Sequence, residues 1–139
     1  MIEGQRAAAF VFSALAADAA FSQAIGGRLY RDQVPQTATL PAATVTLVSS
    51  TDMLTLGADR VWASCLVDVR LVAAGPSYSP INAAADRADA VLSHLGGTNG
   101  GAQIVEVRRE QVMAFLENDA GATFSHIVQT FRTEAYSAA

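Results

Sequence analysis

The chain has 139 residues, which is the size of one domain, and the whole length 1–139 reads as a single unit. Hydrophobic residues make up 51% and charged residues 16%, so a core can form and disorder is excluded as the overall state. The net charge of −4 and a pI near 4.9, with nine arginines and no lysine spread along the chain, exclude a general nucleic-acid binder with a basic face.

The low charge content suggests surface hidden between subunits, because charged residues are depleted at interface cores. The single Cys65 excludes an internal disulfide and, in an apolar strand run, reads as a small buried hydrophobe. Ala7–Leu15 is apolar and is followed by small residues. Glu3 offsets Arg6, however, so the positive leader of a secretory signal is missing and the segment reads as helix.

Ile2–Ala24 is the first predicted helix, rich in alanine. It carries two apolar stripes, Ala7, Val11, Ala14, Phe21 and Ala8, Phe12, Leu15, Ala19. Two stripes predict burial on more than one side, against the chain's own sheet and against a neighbouring subunit. Asp18 is placed to cap a short second piece, and Gly26-Gly27 to end it. Arg28–Arg31 is a short strand, and Asp32–Pro41, with two prolines, a loop. Ala42–Ser50 alternates like a strand. Thr51–Asp59 reads as a connection, in which Met53, Leu54 and Leu56 are apolar without a place in the pattern.

Arg60–Ala74 is the longest alternating run. Val61, Ala63, Cys65, Val67, Val69 and Leu71 form one apolar face; Trp62, Ser64, Leu66, Asp68, Arg70 and Val72 form a mixed one that meets solvent or a partner. Ser79-Pro80 opens a second helix, with serine as N-cap, and Ile81, Ala84, Ala85, Ala88, Val91, Leu92 and Leu95 give it one apolar side. Gly96–Gly101 reads as a flexible turn. Ala102–Glu117 is a strand with an irregularity near Arg109-Glu110. Asn118–Gly121 is a hairpin turn, and Thr123–Tyr136 is the return strand. The order predicts an α+β fold, an antiparallel sheet with two main helices packed on one face.

Chemistry is scarce. No serine sits in a Gly-x-Ser-x-Gly elbow, and Gly96–Gly101 follows a helix and precedes a strand, the reverse of a phosphate loop. His94 and Asp86 are two helical turns apart, ~12 Å along the axis, too far for one ion. Trp62, Phe115, Phe124, Phe131 and Tyr136 lie in strands without a basic groove beside them, so sheet packing accounts for them better than base stacking. The residues therefore predict no catalytic site, no metal, no cofactor and no membrane span.

The order of features carries more. Arg28-Leu29-Tyr30 leads into Val34-Pro35, and Leu40-Pro41 directly precedes the strand Ala43–Val48. A polar loop, the strand Val61–Leu71, the helix Asn82–Leu95, a glycine turn and a hairpin ending in Phe131-Arg132-Thr133 follow. Over nearly the whole chain this order resembles the tail-terminator, or tail-completion, proteins of long-tailed bacteriophages; the long first helix is less typical of them. The resemblance implies a ring-forming subunit, usually hexameric, in the virion at the head–tail junction. Such a ring caps the tail tube, ends its polymerisation and joins the head connector or head-closure protein. It implies no catalysis, and DNA passing through the lumen without specific binding. A head-closure or adaptor protein of the same machine is the nearest alternative, and a small ligand-binding or enzymatic α+β domain a remoter one. Met53, Leu54, Leu56, Trp62, Leu66 and Arg70 are the expected contacts with the neighbouring subunit and the major tail tube protein, since exposed apolar groups mark partner sites.

Overall fold

In the computed structural model, residues 3–54 and 60–137 are described. The elements run α1 (Glu3–Ala17), α2 (Ala19–Ala24), β1 (Leu29–Arg31), β2 (Ala42–Leu54), β3 (Arg60–Ala74), α3 (Ser79–Leu92), β4 (Gly97–Asn99), β5 (Ala102–Asp119) and β6 (Ala122–Ser137). The strands form one sheet in the order β1-β2-β3-β6-β5-β4. Only β1 and β2 are parallel; every other neighbouring pair is antiparallel.

The alternation of β3 sets the two faces. Ala63, Cys65, Val67, Val69 and Leu71 are fully buried, and the register sets Cys65 opposite Thr133, Val67 opposite Phe131 and Leu71 opposite Ile127. This face receives Ala7, Ala8, Val11 and Leu15 of α1 and Ile81, Ala84, Ala88 and Leu92 of α3, in one continuous core. The alanines let both helix axes lie close to the sheet. The larger side chains supply the apolar area, about 1.5–3 kcal/mol for each fully buried Leu, Ile or Phe. The predicted α+β architecture, with both main helices on one face, is the observed one. The two predicted stripes merge on α1 into a single wide buried side, with Phe12 and Ala14 half-buried at its margins, while their last members fall on α2, where Phe21 is buried and Ala19 exposed.

Asp18 breaks the first helical segment and caps α2, its Oδ2 accepting from the Phe21 amide at 2.9 Å. The same carboxylate takes a two-pronged contact from Arg87 of α3, with Nε and Nη2 donating at 2.8 and 2.7 Å. These bonds from Arg87, and then the Phe21 amide, hold the Asp18 carboxyl at about 2, below its ordinary 3.8.

Several boundaries differ from the sequence reading. Thr51–Leu54 continue β2 and are not part of a loop, because they pair with β3 as far as Leu54 opposite Arg60. A register shift between Leu47 and Ser49 lets that strand run on with its alternation displaced by one residue. Gly97–Asn99, read as turn, is a sixth strand paired with Ala102–Ile104. Tyr78 rather than Ser79 is the N-cap position of α3, and the Ser77 hydroxyl accepts from the Ser79 amide. α3 ends at Leu92, short of Leu95. His94 takes a left-handed φ of 64°, and residues 94 and 95 leave the helix to pair with Val107. The irregularity near Arg109-Glu110 is present as a register shift between Arg109 and Gln111. The hairpin turn is Ala120-Gly121, both at positive φ.

Candidate partner interface

The face of the sheet opposite the helices carries Trp62, Ser64, Leu66, Asp68, Arg70 and Val72 of β3 between β2 and β6. Its polar residues bond one another across strands. Trp62 Nε1 donates to Glu134 Oε2 at 2.8 Å, and the Ser64 hydroxyl donates to Glu134 Oε1 at 3.1 Å. Arg132 reaches Ser64 at 2.6 Å and pairs with Glu110 through Nε and Nη2. That pairing lowers the Glu110 carboxyl and raises Arg132. Trp62 stacks on Tyr136 with centroids 5.7 Å apart, and Thr130 donates to Asp68 at 2.7 Å. A face laced this way is a pre-shaped polar surface, because Trp62, Glu134, Arg132 and Glu110 are each already held by their cross-strand partners.

At one end of this face the 32–41 segment folds over the sheet and leaves a groove of about 510 Å³. Val34, Pro35 and Leu40 form one wall; Thr44, Asp68, Arg70 and His126 lie on the sheet side. His126 is buried, stacks on Phe115 at 4.8 Å and holds its Nε2 3.0 Å from Glu117 Oε1. Thr44 and Thr46 are the only hydroxyls among the described lining residues, and neither bonds to His126. The imidazole thus meets a carboxylate but no nucleophile. Cys65 lies on the other face, buried, 3.6 Å from the Ser50 hydroxyl, and burial pushes its thiol up.

Among the described residues no group of three or more His, Cys, Asp and Glu could share an ion, and no helix is long and apolar enough to cross a membrane.

The expected contact residues fall in different places. Met53 is exposed near the end of β2, and Leu54 closes that strand. Leu56 lies outside the described residues. Trp62 and Leu66 are partly buried on the open face, and Arg70 is exposed beside the groove. Trp62 is committed to Glu134 and Tyr136, so it shapes the face more than it projects from it.

The sequence reading missed the other exposed large hydrophobics, Val48 of β2 and Val105, Val112, Met113 and Leu116 of β5. A signal for the last three was available. Val112, Met113, Phe115 and Leu116 put apolar groups on both faces of one strand, whereas helices cover only one face of this sheet. After the shift at Arg109–Gln111, Val112 and Leu116 share the helix-side face with Gln129 and Ser125, and Met113 lies on the open face opposite Val128. The helices do not cover this part of the strand, and all three stay about half exposed (47–49%).

No curated protein matches the chain in sequence. A chain from a solved structure, described as the virion of a native gene transfer agent particle, shares the fold. It aligns with a TM-score of 0.71 at 18% identity and covers 96% of each chain. The sequence matches the family model for tail completion protein gp17 over residues 9–134, which includes α3, most of α1 and nearly the whole sheet. The chain is therefore a member of the gp17 tail completion family, a structural protein of phage-type tails.

Proposed function

We propose that this protein completes the tail by closing into a ring, of six subunits as in the proteins it resembles, on the last layer of the tail tube at the head–tail junction. There it ends tube polymerisation and presents its outer surface to the head connector or head-closure protein. Membership of the tail completion family across residues 9–134 is the observation that carries the reading. The fold shared with a chain from a gene transfer agent virion is consistent with it. Exposed apolar side chains on β2 and β5 supply contact surface that a lone monomer has no use for.

The net charge of −4 suits a passage for DNA, since a like-charged wall lacks the phosphate-neutralising contacts of non-specific binding. The deciding experiment is electron microscopy of particles made without this protein. Overlong or headless tails are expected. Normal free tails beside open, leaking heads would reject termination and assign the protein to head closure.

A further inference from the structure

We infer that neighbouring copies join by strand pairing, the outer edge of β2 from Leu47 to Met53 on one copy lying against the outer edge of β5 from Arg108 to Leu116 on the next, so that the sheets continue round the ring. This rests on the ring proposed above and names the surfaces that close it.

Both edges lack a partner strand among the described residues. β1 covers β2 only at Ala43–Val45, with two further bonds, from the Asp32 amide to Val45 and from the Ala43 amide to Arg28. On the other side β4 covers Ala102–Ile104, and residues 94 and 95 cover Val107. Beyond those points each strand presents a row of open amides and carbonyls, a template for another chain. All six exposed large hydrophobics among the described residues lie on these two strands: Val48 and Met53 on β2, and Val105, Val112, Met113 and Leu116 on β5.

The two edges suit each other in direction. β2 to β3, β3 to β6 and β6 to β5 are each antiparallel, so β5 runs opposite to β2. A second copy set beside the first with its helices on the same side therefore brings its β2 antiparallel to the first copy's β5. The contact is head-to-tail, the kind that makes rings.

The offset between the edges fits closure as well. The middle of the β2 run, Ser50, lies level with Cys65 and Thr133, whereas the middle of the β5 run, Val112, lies level with Gln129. The difference, 133 minus 129, is four residues along the ladder, an even number, so the residues that meet share a face of the sheet. At ~3.4 Å per residue this is ~14 Å along the strands, set against ~19 Å for a repeat of four strands spaced ~4.8 Å. The strands would tilt by ~35° to the ring axis, at the lower end of the roughly 35–45° that closed sheets adopt. Edges at equal height would have given a flat, untilted ribbon.

The test is cross-linking of Thr51→Cys and Gln111→Cys, which are exposed on the open face and lie opposite each other when Ser50 of one copy meets Val112 of the next, with Cys65 left in place as a buried thiol that the single variants control for. The doubly substituted chain, assembled alone or on tail tubes, is treated with a short bismaleimide. A ladder of linked subunits ending in a closed ring species, absent from either single variant, is the expected result. Dimers from a single variant would show like edges meeting and overturn the inference. A ring seen by light scattering or microscopy without a ladder would overturn it while leaving the ring itself standing. Absence of any ring, with or without tubes, would reject the proposed function and this inference together. Val112→Lys provides a second measurement. It should abolish ring assembly and leave the unfolding midpoint of the monomer unchanged, and a ring that still forms would refute the edge contact.

Discussion

Gln129 offers a quantitative test of how the helices are seated. It lies in the middle of β6 on the helix-side face, 1% exposed, opposite Val69 on one side and Val112 on the other. Its Nε2 donates to the carbonyl of Ala85 in α3 at 2.9 Å, and its Oε1 has no partner among the described residues. Gln129→Met keeps the length of the side chain and removes both polar atoms. Losing the hydrogen bond costs about 1 kcal/mol, and removing a buried unpaired oxygen returns about 1–3 kcal/mol. The Ala85 carbonyl, inside α3, keeps its helical partner. The balance is a stabilisation of about 1 kcal/mol, or a rise in Tm of roughly 3–4 °C for a chain of this length. Urea unfolding followed by circular dichroism, with scanning calorimetry for Tm, measures it. A loss of 1 kcal/mol or more at an unchanged m value would refute the reasoning, because it would mean that Oε1 has a partner such as a buried water.

Other perturbations test separate parts of the structure. Ala120 sits at φ 51° in the β5–β6 turn, so Ala120→Gly should stabilise by about 1 kcal/mol, read as a higher thermal midpoint; no gain would mean the turn carries no strain. Phe131, fully buried opposite Val67, should cost about 3–5 kcal/mol on Phe131→Ala in urea unfolding, against under about 0.5 kcal/mol for Met113→Ala on the exposed edge strand. The Asp18 carboxyl is depressed in the folded state from 3.8 to about 2 by Arg87 and the Phe21 amide. Its contribution is therefore complete above the ordinary carboxylate range and lost as pH falls through about 2. Asp18→Asn keeps a capping oxygen and loses the charge, so the Tm gap between wild type and variant should close across that window; a gap independent of pH would contradict the ion pair.

The sequence by itself determined what depends on near neighbours. The alternation Ala63–Leu71, the one-sided helix around Ile81–Leu92, the cap at Asp18 and the turn at Ala120-Gly121 each follow from a period or a backbone preference spanning a few residues. Only the tertiary structure decided what depends on register and on partners far along the chain. Trp62 reads as one member of a mixed strand face, yet its environment is Glu134 and Tyr136, which reach it only through the β3–β6 ladder. The groove exists because the 32–41 segment folds over the open face, which its prolines do not announce. Single-residue shifts at Leu47/Ser49 and Arg109/Gln111 turned the following side chains to new faces, since a strand's period of two converts one extra residue into a reversal. The diagonal pair of open edges arose the same way, from where β1 and β4 stop pairing, which no local pattern encodes.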